Sequence, residues 1–347
     1  MNSIEKEGRD AVRATNGDDR SALDMAIFIT WERHRRTRGL AQYFGITVKE
    51  IVVAGSRWRR CPAQLLETAR TVIRTPATTI VVQNPSLILS LFAVLWRMSL
   101  GRGRRLVVDA HNQAVAPFLA NNWIIRTLSR FVIKNADLTL VTNSALSDKV
   151  RVMGGRACVL PDRLPDMHPR AAMPLEENRP MRVLVVATYA PDEPIEAVLR
   201  AAARSGPGYE FAFTGNSRRL PTSLHALAGA NVKFLGFLDD STYWQAMADA
   251  HVVLDLTLMP DCLVCGAYEA VAIGRPMILS DTEAQRAHFR DAARYTIPEK
   301  DAIADCLGKL REDYAIAVDQ VKRRREEMTR EWRLSADRVA ECIKSLT

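Results

Sequence analysis

The sequence predicts an α/β protein made of two doubly wound domains in tandem. Short, near-continuous apolar runs alternate with helical stretches, the pattern of parallel strands covered by helices on both faces. The alternation breaks in a proline-rich stretch and then restarts. At 347 residues the chain is long for one core and comfortable for two.

Taken in order, residues 1–20 are polar and read as a disordered N-terminus. The first domain, 21–165, carries expected strands at Met25–Thr30, Glu50–Ala54, Thr79–Gln83, Arg105–Asp109, Leu138–Thr142 and Cys158–Leu160. Helices are expected between them, around Arg36–Phe44, Cys61–Arg74, Leu87–Met98, Asn122–Asn135 and Ala145–Met153. Residues 166–180 read as a linker, within the proline-rich stretch Pro161–Pro180. The second domain, 181–330, restarts with strands at Arg182–Ala187, Glu210–Thr214, Val232–Phe234, Val252–Leu256 and Met277–Leu279. Its clearest helices are Pro191–Arg204, Asp240–Ala250 and Ala267–Ile273. From Asp301 the tail is helical, and its charge run Lys322–Glu327 reads as a solvated helix face; residues 331–347 form the terminal helix.

Composition narrows the function classes. With 48% hydrophobic and 25% charged residues this is the composition of a soluble globular protein. The first 25 residues lack an apolar core like that of a signal peptide, and the uncharged run Ser86–Trp96 is too short to cross a bilayer. A cytoplasmic location is expected, peripheral on the inner face of the membrane at most. Six cysteines suit a reducing compartment, and the lone Cys262-x-x-Cys265 has no second pair to complete a zinc site, so no metal is expected. The net charge of +8 is uneven: residues 1–160 hold 24 Lys/Arg against 12 Asp/Glu, while the remainder holds 24 against 28. A basic half suits an anionic lipid surface or a phosphorylated acceptor. Few aromatics stand in the Arg-rich segments and no nucleic-acid module appears, so nucleic acid is not an expected partner.

In two tandem doubly wound domains the ligand loops follow the strands and face a cleft, and the unusual residues fall there. After the first strand, Thr30–Gly39 holds Glu32, His34 and Arg36; its arginines would hold an anion, with Glu32 or His34 within reach of a hydroxyl. Gln83-Asn84-Pro85 ends the third strand, before an apolar helix with arginines at its end that can lie in the core or on an anionic leaflet. Asp109-Ala-His111-Asn112 ends the fourth. In the second half, Thr188 and Tyr189 suit phosphate contact, with Asp192 or Glu193 as helix caps. Gly215, Asn216 and Arg218 follow another strand, where Arg218 would neutralise a diphosphate. Gly236-Phe237-Leu238 is placed to meet a nucleobase.

Asp261–Pro276 is the most informative segment. Asp261 and Glu269 flank Cys265-Gly266-Ala267, which opens a helix. A helix N-terminus offers unpaired N–H groups and partial positive charge to a phosphate, and each carboxylate can grip a sugar hydroxyl. No dinucleotide fingerprint, P-loop or Asp-x-Asp occurs, so a diphosphate would be neutralised by helix N-termini and basic side chains.

These residues resemble those of GT-B glycosyltransferases. Asp261–Pro276 is similar to their Glu-x7-Glu signature, with Asp261 in the first acidic place and Glu269 in the second. Gln83-Asn-Pro, Asp109–Asn112 and Thr188–Glu193 are similar to segments of family-4-like enzymes and of the dolichol-linked chitobiose β-mannosyltransferases. The resemblance extends over most of the chain beyond residue 25. It implies two Rossmann-like domains facing a cleft, with C-terminal helices crossing back to the N-terminal domain. It also implies a metal-independent hexosyltransferase with a UDP- or GDP-sugar as co-substrate and no cofactor. Glu269 would hold the ribose, Asp261 the donor sugar, and His111 the place of the family histidine. The sequence departs from the family in the shorter Asp261, and in having no lysine between Tyr189 and Ala203.

The expected function is transfer of a sugar to a glycan or lipid-linked acceptor in cell-surface or exopolysaccharide synthesis. His111, Asp261 and Glu32 are the catalytic candidates, Asp109 being a further candidate base, and an inverting or a retaining route is equally open. The donor side would comprise Thr188, Tyr189, Gly215, Asn216, Arg218, Phe237, Leu238, Asp261, Cys265, Gly266, Ala267 and Glu269. The acceptor side would comprise Glu32, His34, Arg36, Asn84, Asp109 and Asn112. The rival readings are a GT-B-fold nucleotide-sugar epimerase and a non-catalytic nucleotide-sugar-binding protein.

Overall fold

The structure, a computed structural model, describes residues 25–84, 86–101, 103–115 and 122–346; the expected disordered segment 1–20 lies outside the described residues. Contacts divide the chain into a first unit, up to Arg163 and resumed from Arg333, and a second unit, Leu164–Trp332.

Unit 1 holds β1 (Ala26–Thr30), α1 (Arg35–Phe44), β2 (Thr47–Glu50), α2 (Arg57–Arg74), β3 (Thr79–Asn84) and α3 (Leu87–Ser99). It continues with β4 (Arg105–Ala110), α4 (Asn112–Val115), α5 (Trp123–Asn135), β5 (Leu138–Val141), α6 (Ser144–Val152) and β6 (Ala157–Val159). The sheet order is β2-β1-β3-β4-β5-β6, every pair parallel. Ile27, Ile29, Ile80, Val82, Leu106 and Val108 alternate onto one face, where Val72, Leu89 and Val132 pack on them. The chain turns from β2 to β3 across β1, so the crevice of this sheet lies at the C-terminal ends of β1 and β3.

Unit 2 repeats the plan with β7 (Met181–Val185), α7 (Ile195–Ser205), β8 (Tyr209–Thr214), α8 (Thr222–His225), β9 (Val232–Gly236), α9 (Asp240–Asp249) and β10 (Val252–Asp255). Next come α10 (Cys265–Ile273), β11 (Met277–Ser280), α11 (Glu283–Phe289), β12 (Ala293–Thr296), α12 (Lys300–Glu312) and α13 (Tyr314–Lys344), whose residues from Arg333 belong to unit 1. The order β12-β11-β10-β7-β8-β9 is again wholly parallel, with its reversal between β7 and β10. The doubly wound α/β fold class expected from the sequence is the one observed.

Several boundaries differ for physical reasons. The second strand lies at Thr47–Glu50, not Glu50–Ala54: it is an edge strand of alternating exposure, so an apolar-run criterion passes over it. β12 and α11 have no sequence counterpart, because β12 (Ala-Arg-Tyr-Thr) is a half-buried edge strand and α11 is short and polar. Helix α7 begins at Ile195 rather than Pro191, because the residues before it are spent in a turn. The stretch 166–180 holds no helix or strand, and Arg170 N–H to Ile273 O (3.0 Å) and Arg325 Nη2 to Met167 O (3.2 Å) tie it to unit 2. The charge run on α13 is not wholly solvated. Arg324 is buried, donating to His288 O at 2.7 Å and pairing with Glu327 and Glu331 at 2.9 and 2.8 Å. A guanidinium tolerates burial when its fork of donors is filled this way.

Candidate functional site

In unit 1 the polar groups gather at the ends of β1, β3 and β4. Register places Gln83 opposite Asp109 and Asn84 opposite Ala110, and His111 N–H donates to Asn84 O at 2.9 Å. Thr30 Oγ1 donates to Gln83 Oε1 at 2.5 Å. Arg36, on the first turn of α1, is buried and fully engaged. Its Nε and Nη2 reach Asp109 Oδ1 at 3.0 and 2.9 Å, Nη1 reaches Asp162 Oδ1 at 2.7 Å, and Nη2 also donates to Leu160 O at 2.9 Å. Burial opposes the charge on Arg36, but Asp109 and Asp162 outweigh it and hold the pKa above the ordinary value. Asp162, likewise resisted by burial, is held below its usual range by Arg36 and then His111.

This corrects the expectation that Arg36 holds an incoming anion: the two carboxylates already neutralise it. It also removes Asp109 as a free base, since both its oxygens face the guanidinium. Of the sequence-predicted base candidates, His111 keeps an unbonded ring nitrogen. Burial holds its pKa below the usual histidine value, so it is neutral at pH 7, and its Nε2 is buried with no hydrogen-bond partner. The His34 ring packs edge-on at 4.9 Å from it, and the Asn84 side chain is buried with neither its oxygen nor its nitrogen bonded. Such neutral donors and acceptors suit hydroxyls better than a phosphate. Glu32 is exposed on the loop after β1, and Asn112 is half-buried at the start of α4. Asp162 and Gln83 are members of this cluster that the sequence did not single out as site residues. Gln83 had a signal in its Asn-Pro context, Asp162 none beyond lying after β6.

In unit 2 the β7–α7 turn is built as an anion-binding concavity. Tyr189 adopts a left-handed φ of 59°, which points its N–H and that of Thr188 the same way. The occupant is the chain's own Glu193. Its carboxylate accepts from Thr188 N–H at 3.0 Å, Thr188 Oγ1 at 2.6 Å and Tyr189 N–H at 2.8 Å. Gly215, at the end of β8 with φ 82°, is required there, because a Cβ would sit 2.1 Å from Ala187 O. Arg219 Nη1 reaches Thr188 O at 3.5 Å, bringing the Gly215–Arg219 loop to the turn, with Arg218 and Asn216 exposed on it. Phe237 is 88% exposed after β9, two strands from β7 and so about 10 Å across the sheet.

Beside the turn, α10 starts at Cys265, at the Cys265–Ala267 opening expected from the sequence and two residues before the expected helical range, without a side-chain cap. Its Gly266 N–H already donates to Asp255 Oδ2 at 2.9 Å, and a Cβ at Gly266 would stand 2.5 Å from that oxygen. Ala267 is wholly buried in the core, so its side chain is not a donor contact; only its backbone can be. Cys265 is exposed, Asp261 is half-buried on the preceding loop, and Leu238 is half-buried after Phe237. Glu269 is half-buried one turn inside the helix, where its Oε2 accepts the Tyr243 hydroxyl at 2.5 Å. Burial and then Glu269 raise the Tyr243 pKa, so that phenol stays protonated and donates. Asp192 is held by Thr257 Oγ1 at 3.0 Å rather than capping α7. Thr188, Tyr189 and Gly215 thus converge at one side of the β7 end, and Gly266 with Glu269 at the other. Asp255 and Tyr243 join them without having been read from the sequence; a buried aspartate ending an apolar strand was the available signal.

Asp255 carries a pH prediction. Burial, then the Glu193 charge, raise its pKa well above the ordinary value, with Glu269 and Asp192 adding. A raised carboxyl binds a proton in the native state that the unfolded chain releases, so stability falls as pH rises from about 4 toward the native pKa, by about 1.4 kcal/mol per unit. Asp255→Asn keeps an acceptor for Gly266 and removes that slope. Urea unfolding should find the variant equal to wild type near pH 4 and more stable at pH 8; parallel curves would refute the assignment.

Residues 193–343 match the family model described as glycosyl transferase-like. No curated protein sequence matches the chain. Among solved structures, the chain is similar to a sucrose-phosphate synthase from Thermosynechococcus elongatus, with a TM-score of 0.74 at 17% identity, covering 93% of this chain and 99% of that one. It is similar to Anabaena HepE in complex with UDP-glucose (TM-score 0.70, 14% identity, 92% and 100% covered). It is also similar to the lipopolysaccharide outer core galactosyltransferase WaaB (TM-score 0.62, 13% identity, 90% and 99% covered). At these identities the likeness shows the fold, which is that of GT-B glycosyltransferases.

Proposed function

We propose that this protein is a glycosyltransferase that moves a hexose from a nucleoside diphosphate-sugar to a glycan or lipid-linked acceptor in cell-surface or exopolysaccharide synthesis. The observation that carries the proposal is Glu269, positioned by Tyr243 one turn into α10, on the helix that starts beside the Thr188–Tyr189 turn at the reversal point of the unit 2 sheet. The glycosyl transferase-like match includes Tyr243 and Glu269, and HepE has been seen with UDP and UDP-glucose. On this reading the donor belongs to unit 2. Glu269 would bind the ribose, Phe237 would stack on the base, Asp261 would hold the sugar, and the leaving diphosphate would be met by the Thr188 and Tyr189 N–H groups and Arg218 without a metal. The acceptor belongs to unit 1, where an inverting route would pass the acceptor hydroxyl proton to His111 Nε2 as the acceptor oxygen bonds the sugar carbon and the carbon–phosphate oxygen bond breaks. Similarity of the strand-end motifs to dolichol-linked chitobiose β-mannosyltransferases supports the lipid-linked acceptor.

One observation favours a second reading. Glu193 already fills the N–H groups a diphosphate would use, as fits a protein that binds its nucleotide-sugar weakly or without transfer. A thermal-shift screen of UDP, GDP and their sugars tests both, because a ligand at 100 times its Kd stabilises by about 2.7 kcal/mol. A nucleotide should raise the melting temperature, and Glu269→Ala should weaken it by about tenfold or more, the worth of a hydrogen bond to a charged group. If no nucleotide or nucleotide-sugar moves the transition, the donor assignment is wrong. Turnover of a bound UDP-sugar only when a glycan acceptor is added separates transfer from mere binding.

A further inference from the structure

The helices α3 and α5 pack side by side on the outer layer of unit 1 and expose an unusual surface. Ile88, Leu95, Met98 and, just past the helix end, Leu100 (77% exposed) stand out from α3 and its end; Trp123 (73%), Ile124 and Ile125 stand out from the first turn of α5. Arg126, Arg130 and Lys134 follow at spacings of four along α5, exposed and with no ion pair among the described residues. Neither helix contains an acidic residue, and between Glu67 and Asp137 the only acid is Asp109, buried against Arg36. No helix among the described residues is long and apolar enough to cross a membrane.

Apolar side chains led by a tryptophan, beside a row of unpaired cations and without a compensating anion, fit an anionic lipid leaflet. Aromatic and aliphatic groups enter the headgroup boundary while lysine and arginine meet phosphates above it. A protein partner would more often be met by an apolar centre depleted of charge. We propose that the α3–α5 face of unit 1 docks this protein on an anionic bilayer surface. The core-versus-leaflet choice left open for the Leu87–Trp96 helix is thereby divided. Leu89, Ala93 and Val94 face the core, while the surface that meets lipid is shared with α5. The inference deepens the reading of a lipid-linked acceptor and rests on that reading only for its purpose.

Flotation of the full-length protein with vesicles tests it, using phosphatidylcholine alone or with about 30% phosphatidylglycerol. The protein should float with the anionic vesicles and not the neutral ones, and about 0.5 M salt should release most of it. Trp123→Ser with Ile124→Ser, and Arg126→Glu with Arg130→Glu, should each cut the bound fraction by about tenfold or more. Both pairs lie on the exposed face, so melting temperature and UDP binding should stay as in wild type and report an intact fold. A wild type that stays down at low salt, or a charge-reversed variant that floats like wild type, overturns the proposal. So does a concentration-dependent oligomer that the Trp123 variant abolishes, which would make the face a protein interface. If UDP binds no form of the protein, the donor reading fails while the flotation result stands on its own.

Discussion

Arg36→Met should destabilise unit 1 by about 3–5 kcal/mol at pH 7, the cost of leaving a buried ion pair with one partner. The guanidinium serves two carboxylates and a carbonyl, and Asp109 is as buried as Arg36 itself. Methionine fills much of the volume and replaces none of the donors, so two acids lose their counter-charge. The pH dependence gives the sign. In wild type the depressed Asp162 pKa stabilises the fold above the unfolded value near 4, and that stability is lost as pH falls through the native pKa. In the variant, burial without Arg36 raises Asp162 instead, so stability falls as pH rises. The deficit should therefore be largest at neutral pH and close toward pH 4. Two units need not unfold as one, so hydrogen exchange of unit 1 amides is the better readout than a single melting temperature. Arg36→Met combined with Asp109→Asn should recover part of the loss, because the mutations share one interaction. A single variant within about 1 kcal/mol of wild type at pH 7 would show that the cluster is not what holds the β1, β4 and α1 ends together.

What the sequence makes legible, and what it hides, follows from how each feature is encoded. Interior parallel strands such as Thr79–Asn84 and Val252–Asp255 are apolar on both faces and show as runs; the edge strands Thr47–Glu50 and Ala293–Thr296 are not, and they were displaced or missed. The glycine at 215 and the helix opening at Cys265–Gly266 were visible because backbone geometry restricts which residues fit there. Charge pairing was not visible. Arg36 looks like one arginine among several in Thr30–Gly39, and only the fold brings it to Asp109 and to Asp162, 126 residues away. The same holds for Arg324, which sits in a charged run of sequence yet is buried, with its guanidinium spent on Glu327, Glu331 and the His288 carbonyl. Strand-end placement identified where the polar clusters lie; which members are spent on each other is a tertiary fact.

Glu193→Lys should tighten UDP binding by about a hundredfold if the Thr188–Tyr189 turn is where a diphosphate sits. The wild-type turn is satisfied by its own carboxylate through contacts of 2.6 to 3.0 Å. An entering diphosphate must first displace that carboxylate and then bind beside it, so it loses the turn's donors to a competitor and meets a like charge as well. Removing the carboxylate ends the competition; replacing it by lysine also converts repulsion into a charge-assisted contact, and close charge pairs of this kind couple by about 1.5–7 kcal/mol. Glu193→Gln separates the two effects, since it keeps an acceptor for the turn but no charge, and should gain roughly tenfold. Both variants lose native hydrogen bonds without ligand, so each should melt somewhat lower when free, by about 1 kcal/mol. Calorimetric titration with UDP at two salt concentrations reads the outcome, with the lysine variant showing the steeper salt dependence. If UDP binds wild type and Glu193→Lys binds no tighter, the diphosphate does not use this turn, and Glu193 is there to hold the backbone of Tyr189 in its left-handed conformation.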